Sequence, residues 1–369
     1  MSAETAGSIP ATRTPNVRTL KLAESIFVPV FALVGSFLIF SLFLLVIGKS
    51  PVDFFSLVWT GGFGSSFSIQ QSLQRSAPLI LTALAFAVPA RIGLTMIGAE
   101  GALVLGGFCA AAIAIPLVTG GAAVPVTWVI MAITAMVAGG LWIGLAGWLR
   151  QYRGVNETIS SLLLSYIAIA IMNFFVEGAL RDPASANKPS TMPIGDAYRI
   201  GSIPGTDVHW GFAAGVILAV LLFILMSRTT FGFAARMTGG NVRAAKAQGL
   251  PVGFLMVACC VIAGCCAGLA GFFEVAVIHG QANASLVAGY GFTGILVAFL
   301  ARHNPLMIVP VAIIFGAIAA AGGLVQRRMG MPDATVLVLQ GIIFVVLLAS
   351  DTLYGRIKFF QPEARGDRT

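Results

Sequence analysis

The chain has 369 residues, of which 58% are hydrophobic and only 10% charged, against about a quarter charged in soluble domains. With a mean hydropathy of +0.94, this excludes a soluble domain and indicates an all-α integral membrane protein of many spans. The net charge of +8 comes without a soluble domain or an aromatic-basic face, so it fits the basic inner loops of membrane proteins and excludes a nucleic-acid binder.

In chain order, residues 1–23 are polar and carry Pro10 and Pro15, which reads as a disordered cytoplasmic tail. The next residues, 24–352, read as one transmembrane domain, and 353–369 as a second cytoplasmic tail. A helical span needs roughly 20 apolar residues. Residues 26–47 form the cleanest one, too long for a signal peptide and without a small-residue cleavage site. Further spans read as 77–90, 96–117, 124–149, 159–176 and 209–226, then 254–278, 289–300, 306–324 and 334–350. The expected total is about ten, with the second and eighth short enough to be broken or half-length.

Loop charge orients the bundle. With the N-terminus inside, fifteen of the 22 Lys and Arg fall on inner segments and seven on outer ones, Arg327 and Arg328 among the latter. The asymmetry places both termini in the cytoplasm. The longest outer loop is then 177–208, which holds Pro183, Pro189, Pro193 and Pro204 and is expected to be ordered by prolines rather than by a core.

The polar, basic stretch 228–251 lies inside. Asn241 suits a helix N-cap, Gly249 suits the left-handed position after a helix, and Pro251 starts a new element. A helix of about two turns cannot hold itself together in water, so it must dock on the membrane surface or on another protein. Ala244 and Ala245 allow close approach, while Arg236, Arg243 and Lys246 can meet a partner's acids or lipid phosphates.

The chemistry that is missing narrows the function. No GxxxxGK[ST] phosphate loop occurs, so this chain does not hydrolyse ATP in the usual way, and neither HExxH nor GxSxG is present. The three histidines, His209, His279 and His303, lie at span ends. The five cysteines fall inside apolar runs without CxxC spacing and read as packing residues, with no metal site expected. Transport remains, driven by an ion gradient or by another protein's ATP.

Two acids fall within spans. Glu100 lies in the first turn of its helix, where the dipole favours it, and is either structural or part of an ion path. Glu274 either faces a pathway or reaches towards water. Two acids without membrane-embedded basic partners make a thin proton relay, which disfavours a gradient-driven carrier. Gly140 with Gly144, Gly264 with Gly268, and the run from Gly316 mark helix faces that can approach closely.

Five segments carry a family resemblance: IGAEGALVLGG at 97–107, NETISSLLLSYIA at 156–168, RMTGGNVRAAKAQGLPV at 236–252, AGLAGFFEVAVIHG at 267–280 and GYGFTGILVAFLARHNPL at 289–306. In this order they resemble the permease subunits of ATP-binding-cassette importers of the branched-chain amino acid, ribose and nucleoside group. The Asn156 segment, the RDP at 181–183 and Glu274 are most similar to the nucleoside (simple sugar) type. The resemblance implies ten spans arranged as two inverted repeats in a bacterial inner membrane, and a second permease copy or paralogue. It also implies a cytoplasmic ATP-binding subunit holding ATP and Mg, and an extracytoplasmic binding protein or lipoprotein; this chain would bind no cofactor. The coupling helix would be the segment containing Gly239, Asn241, Ala244, Ala245 and Gly249. Gly240 and Val242 depart from the family's usual acidic residue and proline there. The expected cargo is a nucleoside, alternatively a simple sugar such as ribose, with Asn173 and Glu274 offering polar groups to its hydroxyls and base edge. An ion-coupled secondary carrier is the rival class.

Overall fold

A computed structural model describes the backbone of residues 17–351 apart from Ala186, and side chains from Phe31 to Ser350. The chain divides into two compact units, Met1–Lys49 with Gly341–Thr369, and Ser50–Gln340. In the first, α1 (Val17–Val46) is helical through part of the expected tail, while residues 1–16 and the expected C-terminal tail lie outside the described residues. Its Ala32, Ser36, Phe40 and Leu44 are buried at a strict four-residue spacing, one stripe of a helix whose other faces suit lipid.

The second unit begins with α2 (Pro51–Phe63) and α3 (Ser66–Ala90), followed by α4 (Ala99–Thr119), α5 (Val124–Arg153) and α6 (Glu157–Glu177). Then come α7 (Trp210–Arg228), α8 (Thr230–Gly240) and α9 (Val242–Ala247). Helix α10 (Val252–Phe273) runs on as a π-helical turn over Glu274–His279, before α11 (Tyr290–Leu300) and α12 (Pro305–Met329); α13 (Ala334–Asp351) starts in this unit and continues into the first from Gly341. Among the described residues only isolated bridges occur, Ser190 with Asn283 and Ser202 with His209. Among the described residues, seven helices are long and apolar enough to cross a membrane, or eight if α1 and α2 count as one broken span.

The elements start where side chains can take the free amides of a first turn. Asn156 Oδ1 accepts from Thr158 and Ile159, Asn304 from Leu306, and Thr229 Oγ1 from Gly232. Pro51 and Pro305 open their helices, where a missing N–H costs nothing. Two elements depart from the sequence expectation. Helix α2 falls between predicted spans, and α3 is 25 residues long rather than short. Helix α2, at 13 residues, is too short to register as a span, while the first half of α3 carries Gln70, Gln71, Gln74 and Arg75, so hydropathy registers only its apolar second half.

Glycine decides the packing. A methyl at Gly139 of α5 would lie 2.9 Å from Gly268 Cα of α10, and one at Gly106 of α4 would lie 2.6 Å from the same atom. Gly107 meets Gly271 in the same way. Helix α10 therefore lies backbone-to-backbone against α4 and α5, as lipid-embedded helices without a hydrophobic driving force require. Helix α3 is the counterpart: Gly316 of α12 sits 2.9 Å from Ser76 N and Gly294 of α11 the same from Ala83 N, in each case measured from a built methyl.

The long segment after α6 is ordered by more than its prolines. Thr191 N donates to Ala282 O, Ile194 N to Gly280 O and Ile200 N to Ala276 O, while Ile194 and Val208 are buried. Trp128 Nε1 donates to Tyr198 O and Tyr198 Oη to Ala122 O, which ties the same segment to the start of α5 and the connection before it. It is a cap laid across the end of α10, held by hydrogen bonds from partners far away in sequence.

Gly268→Leu should lower stability by more than about 3 kcal/mol, because the side chain meets the Ala135 backbone, which cannot yield. Gly201→Ala enters open space and should stay within about 0.5 kcal/mol. Unfolding of the purified variants in detergent distinguishes them.

Candidate coupling segment and buried carboxylates

The stretch expected to hold one short helix forms two. Thr229 caps α8, which ends at Gly240, and Asn241 then starts α9 with Oδ1 accepting from Arg243 N at 3.0 Å and Ala244 N at 3.1 Å. Hydropathy could not separate α8 from its surroundings, because its residues are of mixed polarity. The end of α9 is a double closure, Gly249 N to Lys246 O at 3.0 Å and Leu250 N to Ala245 O at 3.1 Å, with Gly249 at φ +77°. This pairing needs a left-handed residue, and glycine takes that conformation without a Cβ clash.

The six residues of α9 are too few to hold themselves, and the chain supplies half of what they need. Ala245 is fully buried, packed towards the α8 and α10 side, whereas Arg243, Ala244, Lys246 and Ala247 are exposed. The two alanines therefore differ: Ala245 seats the helix on its own chain and Ala244 faces outwards. Arg236 is also turned inward, its guanidinium donating to Met226 O at the end of α7.

Gly239 links this segment to the rest of the bundle. A methyl there would lie 2.5 Å from Arg91 O and 3.0 Å from Ile92 Cα, so α8 touches the backbone just past α3. Arg91 in turn donates from Nε and Nη2 to His303 O at 3.0 and 2.9 Å. Burial, and after it the like charge of Arg236, lower the Arg91 pKa from its ordinary value. His303 stands in the tight turn between α11 and α12, where it and Arg302 hold φ of 55° and 50°, a strained pair for non-glycine residues. The ends of α3, α8 and α11 thus converge on one guanidinium.

Glu100 is fully buried in the first turn of α4. Its Oε1 accepts from Gly289 N at 2.7 Å and its Oε2 from Gly291 N at 2.6 Å. One carboxylate therefore stands between the positive ends of two helices, its own and α11. Ser161 Oγ accepts from Ile97 N and Ser165 Oγ from Gly101 N, so α6 satisfies further amides at the same start. Both oxygens of Glu100 are committed to backbone, which decides the open choice in favour of a structural role.

Glu274 is 5% exposed, in the π-helical turn, with His279 Nε2 at 3.6 Å. It borders a cavity of about 270 Å³ shared with Gln71, Gln74 and Arg75 of α3, His279 and Tyr290. The carboxylate borders this cavity, and Arg75 is the basic group that sequence reasoning missed. The miss follows from the truncated second span, which left Arg75 in a loop. Asn173 is half-buried on α6, which packs on α4 and α5, and does not line this cavity.

Residues 68–348 match the family described as the branched-chain amino acid transport system permease component. The chain belongs to this family. It is 30% identical to a glucose ABC transporter permease of Haloferax volcanii, over 88% of this chain and 87% of that one. It is 28% identical to a guanosine ABC transporter permease of Bacillus subtilis, over 90% and 95% of the two chains. A nucleoside ABC transporter permease of Lactococcus lactis is 26% identical, over 88% and 91%. The permease is thus a multi-pass membrane protein whose family works as the transmembrane component of a transport system, which also carries an ATPase and a substrate-binding protein.

Glu100→Gln keeps the shape but offers one amide oxygen to two N–H donors and turns an NH₂ against the other. The expected loss is about 1–3 kcal/mol of stability, with faster hydrogen exchange at Gly289 and Gly291. Unchanged exchange at both amides would contradict the capping role.

Proposed function

We propose that this chain forms the translocation pathway of an ATP-driven importer in a bacterial cytoplasmic membrane, for a nucleoside handed over by an extracytoplasmic binding protein. A separate cytoplasmic subunit binds ATP and Mg, and a second permease copy or paralogue completes the pathway. The observation that carries the reading is α9: capped at both ends, seated through Ala245, and presenting Arg243, Ala244 and Lys246 outwards. A docked ATPase moving this face acts on Gly239, through it on Arg91 and His303, and so on α3 and α11. Those helices carry Arg75 and Tyr290 into the Glu274 cavity, which connects the lever to the pathway.

Ten spans with both termini cytoplasmic fit this architecture, with α11 as a half-length crossing. Two inverted repeats are supported by the paired packing, since α10 bears on α4 and α5 as α3 bears on α11 and α12. The start of α4 at Glu100, facing the start of the half-length α11, is the arrangement expected where two such repeats meet around a site.

A nucleoside is favoured by the guanosine and nucleoside transporters among the relatives, and by the polar set around Glu274. A simple sugar is the second reading, since the Haloferax volcanii relative is a glucose transporter component. Uptake by the permease alone in vesicles bearing an ion gradient, without an ATPase, would instead make it a secondary carrier.

Ala244→Trp should leave the permease in the membrane and stop ATP-driven uptake, because the indole occupies the outward face of α9 without disturbing Ala245. Asn241→Pro should act in the same direction by removing the cap, lowering uptake at least about tenfold for a loss of roughly 1–2 kcal/mol at the helix start. Wild-type uptake in reconstituted complexes of Ala244→Trp would overturn the coupling assignment.

A further inference from the structure

A second cavity of about 220 Å³ lies beside the first and shares Arg75, Ala288 and Tyr290 with it. Its walls differ. Leu79, Ala319, Val336 and Leu337 are apolar, and the polar groups are Thr293, Asp333 and Gln340. Gln340 is only 3% exposed, and among the described residues its amide makes no hydrogen bond. The exposed Arg75 stands in the shared region, and the partly buried Gln71 lines the first cavity. The Gln340 amide thus opens on the cavity with its hydrogen-bonding capacity available to a ligand.

We propose that the two cavities form one bipartite site, in which the Glu274 compartment takes the ribose and the Gln340 compartment the base of an uncharged nucleoside. This deepens the nucleoside reading given above and rests on it. A carboxylate with Gln71, the Gln74 amide oxygen and His279 around it can accept from and donate to a ring of hydroxyls, the chemistry of a furanose diol; the Gln74 amide nitrogen is already engaged with Asp207 O. Apolar walls with one amide at the edge suit a heteroaromatic ring, since glutamine offers a donor and an acceptor side by side to a base edge. Tyr290 stands on the boundary, where its ring can lie against the glycosidic junction. Each compartment exceeds the roughly 150 Å³ that holds a benzene ring, so neither half of the ligand needs the other's space. A free hexose would use only the Glu274 compartment and leave Gln340 unpaired. A nucleotide would bring its phosphate into a site that holds Glu274 and Asp333 against the single charge of Arg75.

The test uses the complete transporter in proteoliposomes, with the loaded binding protein at saturation, and reads guanosine taken up per ATP hydrolysed. Glu274→Gln and Gln340→Leu should each lower that ratio about tenfold while hydrolysis continues, the loss expected for one hydrogen bond left unmade in a dry site. The two variants should also differ. Glu274→Gln flattens the preference for guanosine over 2′,3′-dideoxyguanosine, whereas Gln340→Leu keeps that preference and slows both. If Gln340→Leu fails to insert, Gln340→Asn, which keeps the amide but withdraws it, is read in its place. Guanosine uptake by the wild type with unchanged ratios in both variants overturns the bipartite site and leaves the nucleoside reading standing. Glucose uptake without guanosine uptake by the wild type overturns both.

Discussion

Glu100 holds together two helices that would otherwise repel. The N-termini of α4 and α11 both carry partial positive charge and unpaired amides, and no water is available in an apolar bundle to satisfy them. A single carboxylate accepts from Gly289 and Gly291 while belonging to the first turn of α4. Close approach at this point also requires Gly291, where a methyl would lie 2.6 Å from Glu100 Cα. With this junction in place, the 11 residues of α11 need not cross anything unaided. The cavities beside Tyr290 and Thr293 exist because that helix begins here.

The rest of the bundle is organised around close backbone contact and a few long-range polar ties. Helices α3 and α10 are each gripped by two others through glycine, so they behave as stiff struts rather than as independently sliding rods. The ends that meet α8 are joined by Arg91, which reads the carbonyl of His303 with two nitrogens. Such a link transmits displacement because the guanidinium is planar and its two bonds fix direction as well as distance. A strained turn at Arg302 and His303 is the place where a small push can be absorbed or released.

Local signals were legible and distant ones were not. Asn241 as a cap, Gly249 as a left-handed stop and Pro251 as a new start concern bonds within a few residues, and all three stand as read. Helix α8 escaped notice because no apolar periodicity separates TFGFAARMTGG from a polar loop, although Thr229 caps its start. Ala244 and Ala245 are adjacent and chemically identical, so only docking onto α8 and α10 can bury one and expose the other. Arg75 was lost with the polar half of α3, although glutamines and an arginine at helical spacing ahead of an apolar run could have extended that span.

The sequence by itself determined the membrane-embedded helical class, the family, the capped short helix at Asn241 and the presence of two acids within apolar spans, since hydropathy and capping are properties of short windows. Only the tertiary structure decided what those acids do. Glu100 and Glu274 look alike in sequence, each an acid among apolar neighbours. Glu100 meets amides 189 and 191 positions away and becomes a structural cap. Glu274 meets a cavity and an arginine from α3 and is left with unspent hydrogen-bonding capacity. The physical reason is that a carboxylate's role depends on whether its lone pairs are already taken, and the groups that take them come from segments far apart in the chain.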